Sequence, residues 1–219
     1  MQKKILIPAI LATTKKELRD KITGIEDYVE FIQIDYMDGK YVPYESKFTV
    51  DDLYHLNPVP KQEAHLMVQH PEEIMEEWIS AGVEKIIIHA EADFDWERIR
   101  EIYHDNYIKL YFALNPNTPI NKIAPYIKEI DGVTVMGVDP GQGHQKFQGK
   151  VLGKIKKLRQ DYPKLNIQVD GGMHLEPKNT IRQVLLAGAN EIVAGSEIFL
   201  SKDPIQRIED LEYFIKNFK

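Results

Sequence analysis

A chain of 219 residues, 43% hydrophobic and 28% charged, is long enough to bury a full core, and α/β barrels of this size are routinely one domain. Its net charge of -6 argues against a surface that coats a polyanion, so nucleic acid is not an expected partner, although backbone N–H groups can still form a local anion pocket. With no cysteine there are no disulfides or thiolate metal sites, which fits a reducing cytoplasm and leaves His, Asp, Glu and Gln as ligand types.

Short β-branched runs alternate with longer stretches of helical period, the signature of repeated βα units. Eight strands are expected: Lys4 to Leu11, Phe31 to Tyr36, Glu63 to Val68, Lys85 to His89, Lys109 to Leu114, Gly132 to Val138, Asn166 to Asp170 and Glu191 to Ala194. Several are apolar throughout, as strands covered on both faces should be. The N-terminal "MQKKILIPAIL" runs straight into a charged helix without a small-residue cleavage site, so it reads as the first strand rather than a leader. No apolar run approaches the roughly 20 residues of a membrane span, so a cytoplasmic protein is expected.

Between the strands, "KKELRDKITGIEDY", "EEIMEEWISAG", "WERIREIYHDN", "NKIAPYIKEI", "GKVLGKIKKLRQDY", "KNTIRQVLLAG" and "PIQRIEDLEYFIKNF" space apolar residues three and four apart and predict amphipathic helices. "TVDDLYHLNPVP" offers only a short one. Gly82 and Gly188 stand where C-caps belong, and Asp203 before Pro204 reads as an N-cap followed by a proline at the first helical position. Eight such units without a linker predict a single (β/α)8 TIM barrel over residues 1–219, in preference to an open doubly wound sheet.

In such a barrel the chemistry sits at the C-terminal ends of the strands. The letters there are Ala9, Asp35, Met37, Asp38, His65, Met67, His89, Glu91, Asn115, Met136, Asp139, Asp170 and Ser196. An isolated Asp before Gly is more often a turn former than a base, but the concentration of polar and sulfur side chains points to a site. Asp35 in "FIQIDYMDG" and Asp170 in "NIQVDGG" would reach one mouth and could move a proton between two faces of a carbon. One must start ionised and the other protonated, and their mutual repulsion supplies that asymmetry.

The segments "QIDYMDGKYVP", "HLMV", "ALNPNTP", "MGVDPGQGHQKF", "VDGG" and "AGSEIF" resemble, in order and spacing, those of the ribulose-phosphate 3-epimerase family. The resemblance implies a ribulose-phosphate-binding barrel in which Asp35 and Asp170 are the acid/base pair. It places Met37, Met67 and Met136 around the reacting carbons with His65. The phosphate is expected on the backbone of Gly141, Gln142, Gly143 and His144, of Gly171 and Gly172, and of Gly195 and Ser196. It also implies one divalent metal ion, Zn, Mn, Fe or Co, on Asp35, His65 and Asp170, a sugar-phosphate substrate, a homo-oligomer and a place in pentose phosphate interconversion.

The chain departs from the family pattern at several points. Gln33 stands where the family has a fourth metal ligand, a His, and Ala9 where it has Ser. Gln33 offers only a neutral amide oxygen, which suits Mg or Mn better than Zn, while His89, His144 and His174 are candidates for a replacement nitrogen. "GQGHQ" replaces "GFGGQ", and His144 thereby adds a side chain that either narrows the phosphate pocket or contacts the phosphate. Tyr41, Tyr44 and Phe48 read as exposed aromatics of a lid or contact, or else as a packed loop. The expected activity is the 3-epimerisation of D-ribulose 5-phosphate to D-xylulose 5-phosphate. The alternatives are another pentulose or hexulose phosphate, or a non-catalytic sugar-phosphate binder.

Overall fold

The computed structural model describes residues 2–218. Eight parallel strands close into a barrel: β1 (Ile5–Leu11), β2 (Phe31–Met37), β3 (Lys61–Met67), β4 (Lys85–His89), β5 (Lys109–Leu114), β6 (Gly132–Met136), β7 (Asn166–Asp170) and β8 (Glu191–Ala194), which pairs back on β1. Side chains alternate across each strand. Ile32, Ile34, Ile86, Ile88, Leu110, Phe112, Val133, Val135, Ile167, Val169 and Ile192 face the helices and share one large core with them. The intervening residues fill the interior in small apolar groups, such as Ile7, Ala9 and Val193, or Ile87, Tyr111, Ala113 and Met136.

The outer ring comprises α1 (Lys15–Thr23), α2 (Val50–Leu56), α3 (Met75–Ser80), α4 (Trp96–Asn106), α5 (Val151–Asp161), α6 (Thr180–Ala187), α7 (Ser196–Phe199) and α8 (Pro204–Lys216). The N-cap side chains of Thr14, Thr49, Asp95, Asn179 and Asp203 each accept a backbone N–H three residues on, a contact worth about 1 kcal/mol per helix. Gly188 closes α6 in the left-handed conformation. Among the described residues no helix is long and apolar enough to cross a membrane.

Four expectations need correction. "NKIAPYIKEI" is not a helix: only Ile120–Ile123 turns, as a 3-10 segment, because Pro125 lacks the N–H that the next turn needs. The third unit is split into a 3-10 turn, Pro71–Glu73, and the six-residue α3, so Gly82 lies one residue beyond the cap position. The first helix stops at Thr23, where Gly24 caps it, and a separate 3-10 turn takes up Glu26–Tyr28. Phe48 is not an exposed aromatic. It is 2% exposed and meets Tyr36 edge-on, so this loop is anchored in the outer core. Strand ends shift slightly: β3 begins at Lys61, and β6 stops at Met136 because the Gly137 N–H turns to donate to Asp170 O at 2.6 Å.

The floor of the barrel is polar. Lys85 reaches across from β4 to form an ion pair with Glu63 at 2.5 Å and to donate to Glu191 at 2.9 Å, and sits 4.4 Å from the Tyr111 ring centre. The Tyr111 hydroxyl donates to Glu191 at 2.9 Å, while Gln168 donates to Glu63 and accepts from Thr134, both at 2.6 Å. Burial raises Glu63, and burial would lower Lys85 but the two carboxylates outweigh it and raise it. One cation thus serves two buried anions. Lys85→Met would strand both carboxylates and is expected to destabilise the fold by about 3–5 kcal/mol, read as a lowered urea midpoint. An unchanged midpoint would mean that the layer carries no charge balance.

Candidate active site

Asp35 lies near the end of β2, two positions before Met37 and directly beside His65 on β3, and Asp170 ends β7 beside Met136 on β6. The β2 and β7 strands are not neighbours, yet one side chain joins them inside the barrel. Gln33, fully buried two residues before Asp35, donates through Nε2 to Asp35 Oδ1 and to Asp170 Oδ2, both at 2.8 Å. His65 Nδ1 lies 3.0 Å from Asp35 and 3.4 Å from Asp170. Burial raises Asp35, and the charge of Asp170 adds to that, against the lowering effect of His65 and Gln33. Burial alone would lower His65, but the two carboxylates lift it to about 10.

Behind His65 stands a second histidine. His89 Nε2 is 2.8 Å from His65 Nε2, with the rings stacked at 5.0 Å. On its far side His89 Nδ1 faces Glu91 Oε2 at 3.5 Å, a charge–dipole contact longer than a good hydrogen bond. Burial pushes His89 down to about 4, so it is neutral. Burial would raise Glu91, but contacts with the His89 and Thr118 side chains and the Asn115 N–H draw it down to about 2. Tyr41 packs 4.7 Å from the His89 ring and holds Asn115 and Glu91 through its hydroxyl. Tyr41 is therefore half-buried structure, whereas Tyr44 is 40% exposed at the cavity wall.

Asp35, His65 and Asp170 offer one ligand atom each, all within 4.8 Å of one another, and could hold a metal ion. The donor set is two carboxylate oxygens and an imidazole nitrogen, and Gln33 Oε1 is buried without a partner. A half-turn of that amide would exchange Oε1 for Nε2 beside the carboxylates, so the residues fit a cation with a fourth, neutral oxygen donor. Neither His89, His144 nor His174 joins this group: His89 is turned to His65, and His174 bonds Glu197 at 2.6 Å.

The acidic centre opens into a cavity of about 650 Å³. Met37, Met67 and Met136, each at most 3% exposed, wall it with sulfur and methyl groups, and Ala9 adds a small apolar surface. Gly141 to His144, Gly171, Gly172, Gly195 and Ser196 line the same space. Gly141, Gly171 and Gly172 have φ of 93, 96 and 72°, and a Cβ on Gly172 would lie 2.8 Å from Phe147 Cα, so these turns need glycine. His144 also takes the left-handed conformation, at φ 63°, costing a non-glycine residue about 1–2 kcal/mol. Gln145 staples this loop by donating to Asp139 O and Gln142 O at 2.6 and 2.8 Å.

Glu17 and Lys21 also line the cavity, from α1, and sequence reasoning passed over them because they look like the solvated face of an amphipathic helix. Both are engaged in the wall: Glu17 accepts the N–H and hydroxyl of Thr13, and Lys21 donates to Leu11 O at 2.6 Å. Asp38 is a turn former, accepting the N–H groups of Lys40, Tyr41 and Gln69.

Fold and site together define a barrel enzyme whose mouth sets a buried pair of carboxylates against glycine turns. Residues 5–199 match the model of the ribulose-phosphate 3 epimerase family. The chain is 34% identical to a ribulose-phosphate 3-epimerase of Schizosaccharomyces pombe over 94% of its own length and 91% of that protein. It is 36% identical to one from Synechocystis (91% and 89% covered) and 32% identical to one from Bacillus subtilis (93% and 96% covered). The chain belongs to the ribulose-phosphate 3-epimerase family, and is an epimerase and so an isomerase. At the level of fold it is similar to 3-hexulose-6-phosphate synthase from Salmonella typhimurium, with a TM-score of 0.72 at 14% identity over 96% and 97% of the two chains. The orotidine 5'-monophosphate decarboxylase of Sulfolobus solfataricus gives 0.66 at 17% identity over 98% and 99%.

The low value for Glu91 predicts an acid limb of stability. Its folded pKa of about 2 lies below the ordinary value of 4.5, so its contribution is complete above pH 4.5 and is lost as pH falls towards 2. In acid titrations followed by circular dichroism, Glu91→Gln should be less stable at neutral pH and lose less between pH 4.5 and 2 than the parent. Parallel curves would contradict this.

Proposed function

We propose that the chain interconverts D-ribulose 5-phosphate and D-xylulose 5-phosphate in this cavity by proton transfer between two carboxylates. The observation that carries the reading is the buried Asp35–Gln33–Asp170 bridge, which brings carboxylates from two non-adjacent strands onto one small volume. One carboxylate takes the C3 proton, and the electron pair of the broken C–H bond moves towards the C2 carbonyl to give a planar enediolate. The other, protonated, delivers its proton to the opposite face of C3, and the centre is inverted. A single base would return the proton to the side it left.

Each side chain has a part in this. Asp35, raised by burial, is suited to carry the proton that the pair shares. Met37, Met67 and Met136 keep water from the planar intermediate with a soft apolar wall. The turns at 141–143, 171–172 and 195, with His144 and Ser196, bring backbone N–H groups to the substrate phosphate, and the turn at 171–172 keeps its shape only with glycine, since an added Cβ would meet Val138 or Phe147 within 3 Å. A divalent ion held by Asp35, His65 and Asp170, with Gln33 as the neutral donor, would supply Lewis-acid stabilisation of the negative charge.

A coupled assay on metal-stripped protein, reloaded separately with Mg, Mn, Fe(II), Co or Zn, tests the reading. D-ribulose 5-phosphate should turn over, the product formed in D2O should carry deuterium at C3, and Asp35→Asn and Asp170→Asn should each lose about 10²–10⁴-fold in kcat. Silence with every metal while another ketose phosphate turns over would move the substrate assignment. Loss in only one of the two variants would end the two-base scheme.

The donor chemistry at Gln33 gives a separate expectation. Replacing its hard amide oxygen by an imidazole, Gln33→His, should tighten Zn(II) binding and lower the preference for Mg or Mn, measured by competition with a chromogenic chelator. Unchanged relative affinities would place Gln33 outside the coordination sphere.

A further inference from the structure

His89 and Glu91 take no part in the proton transfer described above, yet they form a buried line that ends on His65. His89 is fully buried and His65 is 1% exposed, so neither ring can exchange its partner for water. The contact between them joins Nε2 to Nε2 at 2.8 Å, and such a contact requires one ring to donate and the other to accept. The direction of that hydrogen bond decides which nitrogen of His65 has a free lone pair. If His89 accepts, the His65 proton on this side is fixed on Nε2, and Nδ1 is the atom that can bind a cation between Asp35 and Asp170. If His89 donates, His65 must keep its own proton on Nδ1, facing the carboxylates, where it excludes a cation.

The surroundings of His89 choose the first arrangement. Its other nitrogen, Nδ1, faces the Glu91 carboxylate at 3.5 Å and has no other partner. A carboxylate favours the N–H on the nitrogen that points to it, which leaves Nε2 bare as an acceptor. Glu91 is itself fixed, since its Oε1 accepts the Asn115 N–H at 2.9 Å and its Oε2 receives the Tyr41 hydroxyl at 3.4 Å. The Tyr41 ring lies over His89, and Asn115 Nδ2 holds the Tyr41 hydroxyl at 3.0 Å. Three loops, after β2, β4 and β5, therefore close on one imidazole that does not itself line the cavity and reaches it only through His65.

We propose that His89, oriented by Glu91, is a positioning residue that keeps a proton of His65 on Nε2, so that Nδ1 is the nitrogen left to face Asp35 and Asp170 and to serve as the ligand atom when a cation binds there. Its bearing on metal binding rests on the reading of His65 as a ligand. The direction of the histidine–histidine hydrogen bond does not, and it is measured separately.

The test uses full-length protein with 15N-labelled histidine and long-range 1H–15N correlation spectra, assigned with single-histidine variants. His65 Nε2 should be protonated and His89 Nε2 bare, with the His89 proton on Nδ1, whether or not an ion is added. The opposite pattern would overturn the proposal on its own. Two variants then read the consequence: His89→Phe fills the space and keeps the stack under Tyr41 but cannot accept, whereas His89→Gln can place an amide oxygen near the former Nε2. With Mn(II) and Co(II) as probes, His89→Phe should weaken binding about 10–100-fold, and His89→Gln should restore most of the loss. Equal loss in both variants, or loss in neither, would refute the positioning role. If His89→Phe fails to fold by circular dichroism, the wild-type nitrogen spectrum still decides. If the wild type binds neither ion but shows the expected protons, the metal reading fails and the positioning claim stands.

Discussion

Two carboxylates buried a few ångströms apart are the constraint around which this barrel is arranged. Neither can be left bare, because burial and mutual repulsion both disfavour the charged form. The chain meets this with two partners from neighbouring strands: the Gln33 amide donates to both acids, and His65, which the acids raise to about 10, stands against both. A lysine or arginine in that place would pin both acids in the ionised state and abolish the asymmetry that proton transfer needs. The floor of the same barrel shows the contrasting solution. There Lys85 pairs with both Glu63 and Glu191, in a layer that holds strands together.

The two layers explain how the interior can be polar at both ends and still be stable. At the floor the hydrogen bonds close on themselves, through Tyr111, Gln168 and Thr134. At the mouth they are left incomplete: Gln33 Oε1 and His89 Nδ1 lack hydrogen-bond partners although both are buried. Unmet hydrogen-bonding capacity in a dry site is costly, and at Gln33 it stands beside the acid pair, where a guest could satisfy it.

The strands were legible because they are covered on both faces, so β-branched runs such as "KIIIH" and "NIQVD" are unambiguous, and four of the eight have the expected limits. One of those four, β7, ends on Asp170 as expected. Helices were less legible where length was short: "NKIAPYIKEI" has the right spacing, but Pro125 overrides it, and α7 is too short to leave a periodic signal. Phe48 misled because a loop aromatic has no period to declare its side, and only the packed Tyr36 and Trp78 rings reveal the inward turn. The acid pair could be read from sequence as two strand ends. The bridge between them could not, since it depends on closure of the barrel and on the side to which one amide rotates.

Gln33 and His89 illustrate how one departure in the sequence can be misread in two directions. An amide at position 33, where the family resemblance implies an imidazole, suggests that another histidine must take that part, and His89 stands close by on β4. The geometry argues otherwise: a histidine that entered the ligand set would leave His65 Nε2 without an acceptor in a site closed to water. The position that tolerates substitution is the one whose job is to bridge two anions, because either an amide N–H pair or a cation with an amide oxygen can do so. His65 has no such latitude. Its Nδ1 must serve the carboxylates while its Nε2 serves His89, and only an imidazole presents two nitrogens on opposite edges of one flat ring.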